Sequence, residues 1–554
     1  MKPYLFAFLI SSITVWAQPS GFESIEGGAS YHIDANGAHI IQSGNQAIVH
    51  WDTFSLGKGE FAKFLQQDAQ SAILNRVVGG SLSKIYGHIE SNGKVFIINR
   101  AGVLIEPGAT INCAGFLAST ANISDEVFLN GKEMLFKEYG EGEIINLGTI
   151  SSPTGDVLIL AKHVENLGSI YAKSVFLAAD TEVLLKPEGP VFIQPTFDTT
   201  LKTTDPYAIA MKMEGEVIAQ KIDNQGGKIF LVADKGKTEV NGVLATSGGM
   251  IHVLGEDVAI CDKAQIDVSS DHGAGEILIG GDLQGKNPQI KNSSQTIAHK
   301  GAEIHADSYN AGDGGKIILW SDGDTVCDAT LSAKSYGTTG NGGFVEVSGK
   351  ESIAISTHPD LSAENGSFGT FLMDAGSIII DHSNSGGPST YGDQFIITQL
   401  QSSNYMLDTG EGAYSLTIQN PATITWSEPT YLELIAGRNM IMQSGTTIQS
   451  DSTAGNQDAI RMTANASGAG NYIGINIEGT VQSASNDIRI TGTGGDDAGS
   501  SQHGVSIVGG TVSATDAGNI IINGTGGPGA IGTGNIGVLI LSNAKVSANS
   551  GIFP

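Results

Sequence analysis

Gly315-Lys316-Ile317-Ile318-Leu319 is one copy of a five-residue unit that recurs along the chain. The unit is a glycine followed by aliphatic residues at its third and fifth positions. Further copies begin at Gly155, Gly227, Gly249, Gly275, Gly343 and Gly518. A second unit, Gly-x-Ile/Val-x-Ala/Ser, lies between these copies and begins at Gly168, Gly479 and Gly510. Successive copies are about 20 to 34 residues apart, a period that is typical of solenoid proteins.

The repeat predicts short strands that are wound into coils. A strand of about five residues points alternate side chains to opposite faces, so each coil has an inward apolar row. One coil cannot bury this row alone, but coils stacked about 4.8 Å apart bury it against their neighbours. Glycine permits a positive φ at the corners. We therefore predict an all-β fold: a right-handed parallel β-helix (a solenoid) with an N-terminal cap and extracoil hairpins. The more charged stretch from Asp125 to Gly142 is predicted to be an extracoil hairpin or loop.

The composition excludes two classes of protein. The 554 residues include 75 glycines, 15 prolines and 16% charged residues. Disordered chains are usually rich in charge and poor in β-branched residues, and this chain is neither. The net charge of −28 and the pI near 4.6 would repel a phosphate backbone, so no nucleic acid is expected as a partner.

The three cysteines are too few and too far apart for a disulfide framework, and they have no metal-like spacing. We expect Cys113, Cys261 and Cys327 to be small buried residues. A Cys261–Cys327 bridge is the alternative in an oxidising compartment. No metal and no cofactor is expected.

The first residues have the pattern of a secretory signal. Lys2 supplies positive charge, and an apolar run follows from Tyr4 to Ile13. Val15-Trp16-Ala17 suits cleavage by a signal peptidase before Gln18. Since the run is too short to span a membrane comfortably, residues 1–17 are predicted to be a signal peptide of an exported protein.

Residues 27 to 124 contain several motifs in a fixed order. These are Ile48-Val49-His50-Trp51-Asp52-Thr53-Phe54, Ala72-Ile73-Leu74-Asn75-Arg76-Val77, Ile85-Tyr86-Gly87-His88-Ile89, Asn92-Gly93-Lys94-Val95-Phe96-Ile97-Ile98-Asn99 and Gly115-Phe116-Leu117-Ala118-Ser119-Thr120. On these motifs the segment resembles the export domain of filamentous-haemagglutinin-type exoproteins of two-partner secretion (the TpsA family), particularly the high-molecular-weight adhesin subgroup. Segments 312–320 and 342–350 are similar to the repeat region of that family.

The two signature segments of that family can be placed on this sequence. Asn-Arg-Val matches Asn75, Arg76 and Val77. Asn-Pro-Asn-Gly falls on Asn99, Arg100, Ala101 and Gly102, where the Pro-Asn centre is replaced. Asn and Gly at the two ends still suit a type I turn. We expect Asn75 and Asn99 to anchor turns through side-chain bonds to the local backbone, and Asn75→Ala to abolish secretion.

The resemblance also implies a mechanism and partners. A partner transporter, an outer-membrane β-barrel with periplasmic domains, recognises the export domain, and the chain crosses unfolded before it winds into coils outside. An edge strand exposed on the first coil is the expected pairing template. The resemblance thus implies a secreted or surface exoprotein of a Gram-negative bacterium, exported via the periplasm. It would be adhesin- or haemagglutinin-like and bind a host-cell or surface receptor, protein or glycan.

The pattern divides the chain into five predicted segments. Residues 1–17 are the signal peptide, 18–190 the export domain and 191–382 a β-helix repeat region. Residues 383–411 are a link or extracoil insertion with a short helix. Residues 412–554 are C-terminal β-helix repeats, and the abrupt stop at Pro554 suggests a short member of the class, a truncated reading frame or a fragment.

The alternative is a secreted β-helix enzyme that acts on polysaccharides. Such sites need carboxylates clustered across neighbouring coils. One candidate group comprises Asp267, Asp271, His272 and Glu276, and the other Asp322, Asp324 and Asp328. Because Gly and Asp at solvent-facing corners explain both groups, we expect no catalytic residue and no enzyme activity.

Overall fold

The structure is a computed structural model of the chain. It describes residues 18–131, 133–179, 182–185, 194–196, 209–213, 216–219, 226–387, 389–454, 458–465, 470–497, 499–527 and 534–549. The predicted signal peptide lies outside these ranges. The chain divides into two units, Met1–Tyr171 with Glu182–Ile193 and Ala172–Thr181 with Gln194–Pro554. Within the described ranges, no helix is long and apolar enough to cross a membrane.

The first unit consists mostly of short strands. Its first twelve are β1 (Glu23–Glu26), β2 (Ser30–Ile33), β3 (His39–Gln42), β4 (Gln46–Trp51), β5 (Phe61–Leu65), β6 (Ala72–Val77), β7 (Ser83–Ile85), β8 (His88–Ser91), β9 (Lys94–Asn99), β10 (Val103–Ile105), β11 (Thr110–Asn112) and β12 (Gly115–Ser119). Then follow α1 (Asp125–Asn130), β13 (Met134–Phe136), β14 (Ile144–Asn146), β15 (Thr149–Ala161), β16 (Val164–Asn166), β17 (Ser169–Ala179), which runs past the end of the unit at Tyr171, and β18 (Glu182–Leu185).

The coils of the first unit stack into three parallel sheets, of which the first coil contributes strands to two and each later coil to all three. The first sheet contains β4, β6, β9, β12 and the end of β15. The second contains β3, β5, β8, β11 and the start of β15, and the third contains β7, β10, β14 and β16. Inward side chains are stacked in register, so that Ile73, Val95, Phe116 and Val157 follow one another and are all buried. Each buried aliphatic side chain contributes about 1.5–3 kcal/mol, which holds the coils together.

An antiparallel cap closes the N-terminal end of this stack. β1 pairs antiparallel with β4, and β2 pairs antiparallel with β3. Trp51 makes ring contacts with Phe22, Tyr31 and Phe54 at centroid distances of 5.1, 5.2 and 5.3 Å. The predicted cap is therefore confirmed. The expectation that a strand of the first coil exposes its edge is wrong, because β1 and β2 cover the edges of β4 and β3.

The predicted extracoil segment from 125 to 142 contains a helix and a strand. The Ser124 side chain accepts a hydrogen bond from the Val127 N–H at the start of α1, and Gly131 ends the helix with φ of 60°. The Phe128 ring lies 5.5 Å from the outward-facing Phe96 ring. Further along, β13 pairs antiparallel with β18. The segment thus covers apolar side chains on the outside of the coil.

The second unit repeats the strand pattern. Its earlier elements are β19 (Gln194–Thr196), β20 (Ile209–Met213), β21 (Glu216–Ala219), β22 (Lys228–Ala233), β23 (Lys237–Val240), β24 (Val243–Ala245), β25 (Met250–Leu254), β26 (Asp257–Ile260), β27 (Gln265–Asp267), β28 (Ser270–His272), β29 (Glu276–Ile279), a 3₁₀ turn (Leu283–Gly285), β30 (Gln295–Ala298), β31 (Glu303–His305), β32 (Ser308–Ala311), β33 (Lys316–Ser321), β34 (Asp324–Cys327), β35 (Thr330–Ser332), β36 (Phe344–Gly349) and β37 (Ser352–Ile355).

The later elements of the second unit continue this order. They are β38 (Thr370–Asp374), β39 (Ile378–Asp381), β40 (Thr390–Gly392), α2 (Asp393–Gln399), β41 (Asn404–Asp408), β42 (Leu416–Ile418), β43 (Thr423–Trp426), β44 (Leu432–Ala436), β45 (Met440–Met442), β46 (Thr447–Ser450), β47 (Asp458–Ala464), β48 (Ile475–Ile477), β49 (Thr480–Ser483), β50 (Asp487–Thr493), β51 (Val505–Val508), β52 (Thr511–Ala514), β53 (Ile520–Thr525), β54 (Val538–Leu541) and β55 (Lys545–Ala548).

The strands of the second unit also form parallel ladders. The longest ladder joins β22, β25, β29, β33, β36, β38, β41, β44, β47, β50 and β53. A second ladder contains β21, β24, β27, β31 and β35, and a third runs from β20 to β37. Two further ladders run from β39 to β54 and from β43 to β55. The predicted right-handed parallel β-helix is confirmed.

The repeated glycine is required by close approach of the backbone. We use the name glycine ladder for Gly249, Gly275, Gly315, Gly343 and Gly369, which precede consecutive strands of the longest ladder. A Cβ atom on Gly343 would lie 2.1 Å from the carbonyl oxygen of Gly315. None of the five has a positive φ, so the expected role of glycine in turn conformation is wrong at these positions.

The predicted link at 383–411 contains the short helix expected there. In α2, Asp393 is fully buried, and its Oδ2 accepts a hydrogen bond from the Thr423 N–H (2.8 Å). Oδ2 of Asp393 also lies 2.7 Å from Nδ1 of His382. In the same segment, β41 pairs in parallel with β38 and β44. The segment therefore adds a helix and also continues the main ladder.

Candidate functional site

The Asn75 side chain lies inside the coil of the first unit. Along β6 it alternates with Ile73 and Val77 and is fully buried. Its Oδ1 accepts a hydrogen bond from Nε1 of Trp51 (3.0 Å), and its Nδ2 donates to the carbonyl oxygen of Phe96 (3.2 Å). The amide thus joins three successive coils through β4, β6 and β9. It also satisfies a buried indole N–H, which would cost about 1–3 kcal/mol if left unpaired.

The expectation that Asn75 anchors a turn is wrong. Asn75 lies within a strand, and the carbonyl oxygen that it binds belongs to the next coil. The Trp51 partner was missed by the sequence analysis, although a signal was present. Because strand side chains alternate, a polar residue between two inward aliphatic ones must itself face the interior and needs a buried partner.

Arg76 faces outward and holds the extracoil helix. Its Nη1 lies 2.6 Å from Oδ1 of Asp125 and 3.1 Å from Nε2 of His50. Its Nη2 donates to the carbonyl oxygen of Ile123 (2.8 Å). Asp125 is in the first turn of α1, where a carboxylate is favoured by the helix dipole. Arg76 therefore fixes the start of the helix to the outer face of β6.

Asn99 anchors a turn, as expected. Its Oδ1 accepts the N–H of Ala101 (2.9 Å), and the Gly102 N–H donates to the carbonyl oxygen of Asn99 (2.9 Å). Its Nδ2 donates to the Ser81 carbonyl oxygen (2.8 Å) and to Oγ of Ser83 (2.9 Å). Gly102 has φ of 101°, which glycine adopts without strain. The turn is thus formed without the family's central proline.

The two motif segments meet in one ladder. Val77 and Asn99 are register partners in β6 and β9, and both are buried. Arg100 is exposed, and its Nη1 donates to the carbonyl oxygen of Glu138 (2.6 Å). The carbonyl oxygen of Arg100 accepts the Gly142 N–H (3.1 Å). Both motifs therefore hold the segment from 125 to 142 against the coil.

The first group of candidate catalytic carboxylates has structural partners. Asp267 accepts the N–H of Ser269 within its own turn (2.8 Å). The hydrogen bond with His252 (3.4 Å) and the ion pair with Nζ of Lys316 (3.2 Å) together hold the pKa of Glu276 below its usual value. The two remaining members of the group are exposed, Asp271 and His272. Two members of the group are thus engaged in structural contacts, and the other two face the solvent.

The three carboxylates of the second group each make a separate structural contact. Each member accepts a hydrogen bond from one neighbouring side chain; the pairs are Asp322 with Asn292, Asp324 with Ser352 and Asp328 with Ser356. Across the described part of the chain, no three His, Cys, Asp or Glu side chains are grouped so that they could hold a metal ion. Neither candidate group supports the enzyme alternative.

The cysteines are structural in this fold. Cys113 and Cys327 are buried, and burial raises the pKa of both thiols, that of Cys327 to about 12. Cys261 is half-buried, and no disulfide joins it to Cys327. The expectation of small residues in the stack is confirmed for Cys113 and Cys327, and the alternative bridge is not formed.

An acidic cluster that the sequence analysis missed lies in the second unit. The Gln284 N–H donates to both carboxylate oxygens of Glu346 (3.1 and 3.2 Å), and its Nε2 donates to Asp374 (2.8 Å) and Asp408 (3.4 Å). Burial raises the pKa of Glu346 to about 8, and burial together with the Asp408 carboxylate raises the pKa of Asp374 to about 7. The cluster holds the 3₁₀ turn onto the outside of the coil.

We expect Glu346→Gln to flatten the pH dependence of stability. The folded pKa of Glu346 lies above its ordinary value of 4.5, so its stabilising contribution is complete below pH 4.5 and is lost as the pH rises through about 8. The wild-type free energy of unfolding should therefore fall by on the order of 3 kcal/mol between about pH 5 and about pH 9. Urea unfolding across this range checks the slope.

The control for this experiment is Asp271→Asn, which removes an exposed carboxylate of the same unit. It should keep the wild-type slope. If Glu346→Gln and the wild type lose the same free energy of unfolding over this range, Glu346 is not the group that titrates.

The capped parallel β-helix and the two adjoining motif segments define the export domain of a TpsA-type exoprotein. Residues 24–319 match the family model of the TPS secretion domain. The chain belongs to this family.

Relatives of known name are consistent with this assignment. The heme/hemopexin-binding protein of Haemophilus influenzae is 29% identical over 303 residues, which are 50% of this chain and 31% of that protein. A second H. influenzae protein of the same name is 40% identical over 84 residues, 15% of this chain and 9% of its own. The match to the first relative thus spans about a third of its length. The crystal structure of the HMW1 secretion domain from H. influenzae has a TM-score of 0.51 and 28% identity, and the match covers 63% of this chain and 100% of that one.

Proposed function

We propose that residues 18–190 are the export signal of a secreted or surface exoprotein of a Gram-negative bacterium. A partner outer-membrane β-barrel transporter recognises this region, after a signal peptide at 1–17 has directed the chain to the periplasm. The match to the TPS secretion domain over residues 24–319 carries the proposal. The match continues past residue 190, so the first part of the β-helix repeat region at 191–382 is also similar to the secretion domain. The rest of that region and the repeats at 412–554, joined through 383–411, follow it as the remaining exported part.

The motif residues have two different roles in this proposal, one inside the coil and one at its surface. Asn75 is buried, so it influences export through the coil that it holds together. The turn from Asn99 to Gly102 carries the exposed Arg100 and the anchor of the extracoil segment. The transporter meets the chain before the coils are complete, and the bonds of Asn99 to Ala101 and Gly102 can form from local residues alone.

We expect Asn99→Ala to reduce secretion by roughly tenfold or more. It removes three side-chain hydrogen bonds that stabilise the turn, and a loss of about 1.4 kcal/mol already lowers the population of the formed turn tenfold. The chain and a cognate partner transporter are produced together, and the amounts in the medium and in the cells are compared by immunoblot. Asn36→Ala, at an exposed position, is the matched control and should be secreted normally.

Two outcomes of this experiment contradict the proposal. Secretion of the wild-type chain from cells without the transporter would show that export does not use it. Normal secretion of Asn99→Ala, with the same amount in cells as the wild type, would exclude this turn from the signal.

The exported repeats have an adhesin-like role in this proposal and bind a host-cell or surface receptor. The support is the long regular surface that stacked coils present. Adherence of cells that display the full chain, compared with cells that lack the transporter, tests this role. A second candidate role is heme or hemopexin binding, because the relative with 29% identity carries that name. Titration of the purified chain with heme and with hemopexin tests it separately.

A further inference from the structure

The glycine ladder forms the floor of a groove in the second unit. Its five residues precede five consecutive strands of the longest ladder, β25, β29, β33, β36 and β38. We call this space the glycine groove. Its volume is about 630 Å³, and five strands about 4.8 Å apart give it a length of ~19 Å. A groove of this form suits an elongated ligand.

The backbone of the floor is already fully hydrogen-bonded at four positions. The Gly343 N–H donates to the carbonyl oxygen of Ala333 (2.7 Å), and the carbonyl oxygen of Gly343 accepts the Thr370 N–H (3.0 Å). The same two kinds of bond are made at Gly275, Gly315 and Gly369. An extended peptide therefore cannot add to this surface as a strand, because strand addition needs unpaired backbone groups. A ligand meets a flat floor without side chains.

Aromatic side chains flank the floor. Phe344 follows the ladder residue Gly343, and Phe368 precedes the ladder residue Gly369; both line the groove and are half-buried. Flat aromatic surface beside a few polar groups is the usual composition of a ligand site. The C–H face of a sugar ring is a flat apolar surface that fits this arrangement.

The charged groups that line the groove already have partners. Glu276 pairs with Lys316 (3.2 Å), and Oδ1 of Asp313 accepts the N–H of Asn341 (2.7 Å). A charged ligand would have to displace one of these partners, and the net charge of −28 adds repulsion against an anion. Hydroxyl groups, in contrast, can share these carboxylates and the ammonium as hydrogen-bond partners.

We propose that the glycine groove binds a neutral, linear oligosaccharide. The sugar rings lie along the ladder, with their C–H faces on the floor and against Phe344 and Phe368, and their hydroxyls bonded to Glu276, Lys316 and Asp313. This inference deepens the adhesin-like part of the proposed function by naming the ligand class. It is independent of export, since binding is a property of the folded groove.

The test is calorimetric titration of the purified full chain with neutral hexasaccharides of glucose, mannose and xylose. Hexagalacturonate serves as the anionic comparison and a neutral extended peptide as the peptide comparison. We expect at least one neutral hexasaccharide to bind and the two comparisons not to bind. Phe368→Ala should weaken that binding by roughly tenfold, the loss of about 1.4 kcal/mol.

Phe344→Ala is not used, because Phe344 also packs against the cluster of Leu278, Ile318 and Trp320, so its removal would change stability as well as binding. Thr370→Trp is the second variant, since it places a large side chain at one end of the groove. Tyr309→Ala, at an exposed aromatic outside the groove, is the control and should bind as the wild type does.

Two results would overturn the inference. The first is no binding of any neutral hexasaccharide by the wild-type chain. The second is binding of a neutral hexasaccharide that neither Phe368→Ala nor Thr370→Trp weakens. Binding of hexagalacturonate or of the peptide that these two variants weaken to the same degree would equally overturn it. Both can be obtained whether or not the chain is secreted in cells, so failure here is distinguishable from failure of the export proposal.

Discussion

Gly343→Ala is expected to lower the free energy of unfolding of the second unit by about 3 kcal/mol, the upper part of the range for overpacking. The new Cβ would lie 2.1 Å from the Gly315 carbonyl oxygen and 2.9 Å from Cβ of Ala333. Both neighbours belong to the hydrogen-bonded stack, so neither can move without breaking a bond between coils. Urea unfolding followed by far-UV circular dichroism measures the change.

Gly44→Ala is the matched control, because Gly44 has ordinary φ and no atom within 4 Å of the position of a Cβ. It should be neutral or slightly stabilising, since alanine restricts the unfolded chain more than glycine does. A change of less than about 0.5 kcal/mol for Gly343→Ala, the range of ordinary surface substitutions, would mean that the ladder is not held by close backbone contact.

Asn75→Leu is expected to destabilise the first unit by about 3 kcal/mol and to abolish secretion. The leucine side chain leaves the buried indole N–H of Trp51 without its partner and removes the side-chain bond to the carbonyl oxygen of Phe96 in the next coil. The effect should be partly relieved in the Trp51→Phe background, where the unpaired N–H is absent. The expected coupling between the two changes is about 1–2 kcal/mol in urea unfolding.

The wild type, the two single variants and the double variant together separate two explanations of the export defect. If Asn75 acts through the coil, secretion should follow stability, and Asn75→Leu with Trp51→Phe should be exported better than Asn75→Leu alone. If the transporter contacts the Asn75 amide itself, the double variant should be exported no better than the single one, even though it is more stable.

The ladder of strands could be predicted because each five-residue unit carries its own inward residues. Ile277, Ile317 and Val345 occupy the same position of the unit and are stacked in register. The prediction that Asn75 lies in a turn was wrong because it rested on the high frequency of asparagine in turns. Its position between Ile73 and Val77 has the period of a strand and determines its direction.

The burial of Glu346 could not be predicted from local pattern. Between Val345 and Val347 it has the alternation of an outward, solvent-facing residue. It is buried because the loop around Gln284 folds over it, and that loop lies more than sixty positions earlier and has no periodicity. The same reason applies to Asp125, which meets Arg76 only because the extracoil helix folds back on the coil.

The antiparallel cap formed by β1 and β2 gives the stack a direction of growth. Its strands and those of the first coil lie between Glu23 and Trp51, so their backbone pairing needs nothing that follows in the chain. Only the buried indole N–H of Trp51 depends on a later residue, Asn75 of the next coil. Each later layer then requires only the layer already laid down before it. A polypeptide that passes through a pore with its N-terminal part first would therefore always have a folded layer on which the next coil can pair. Movement back through the pore would require the coils to unfold in the reverse order.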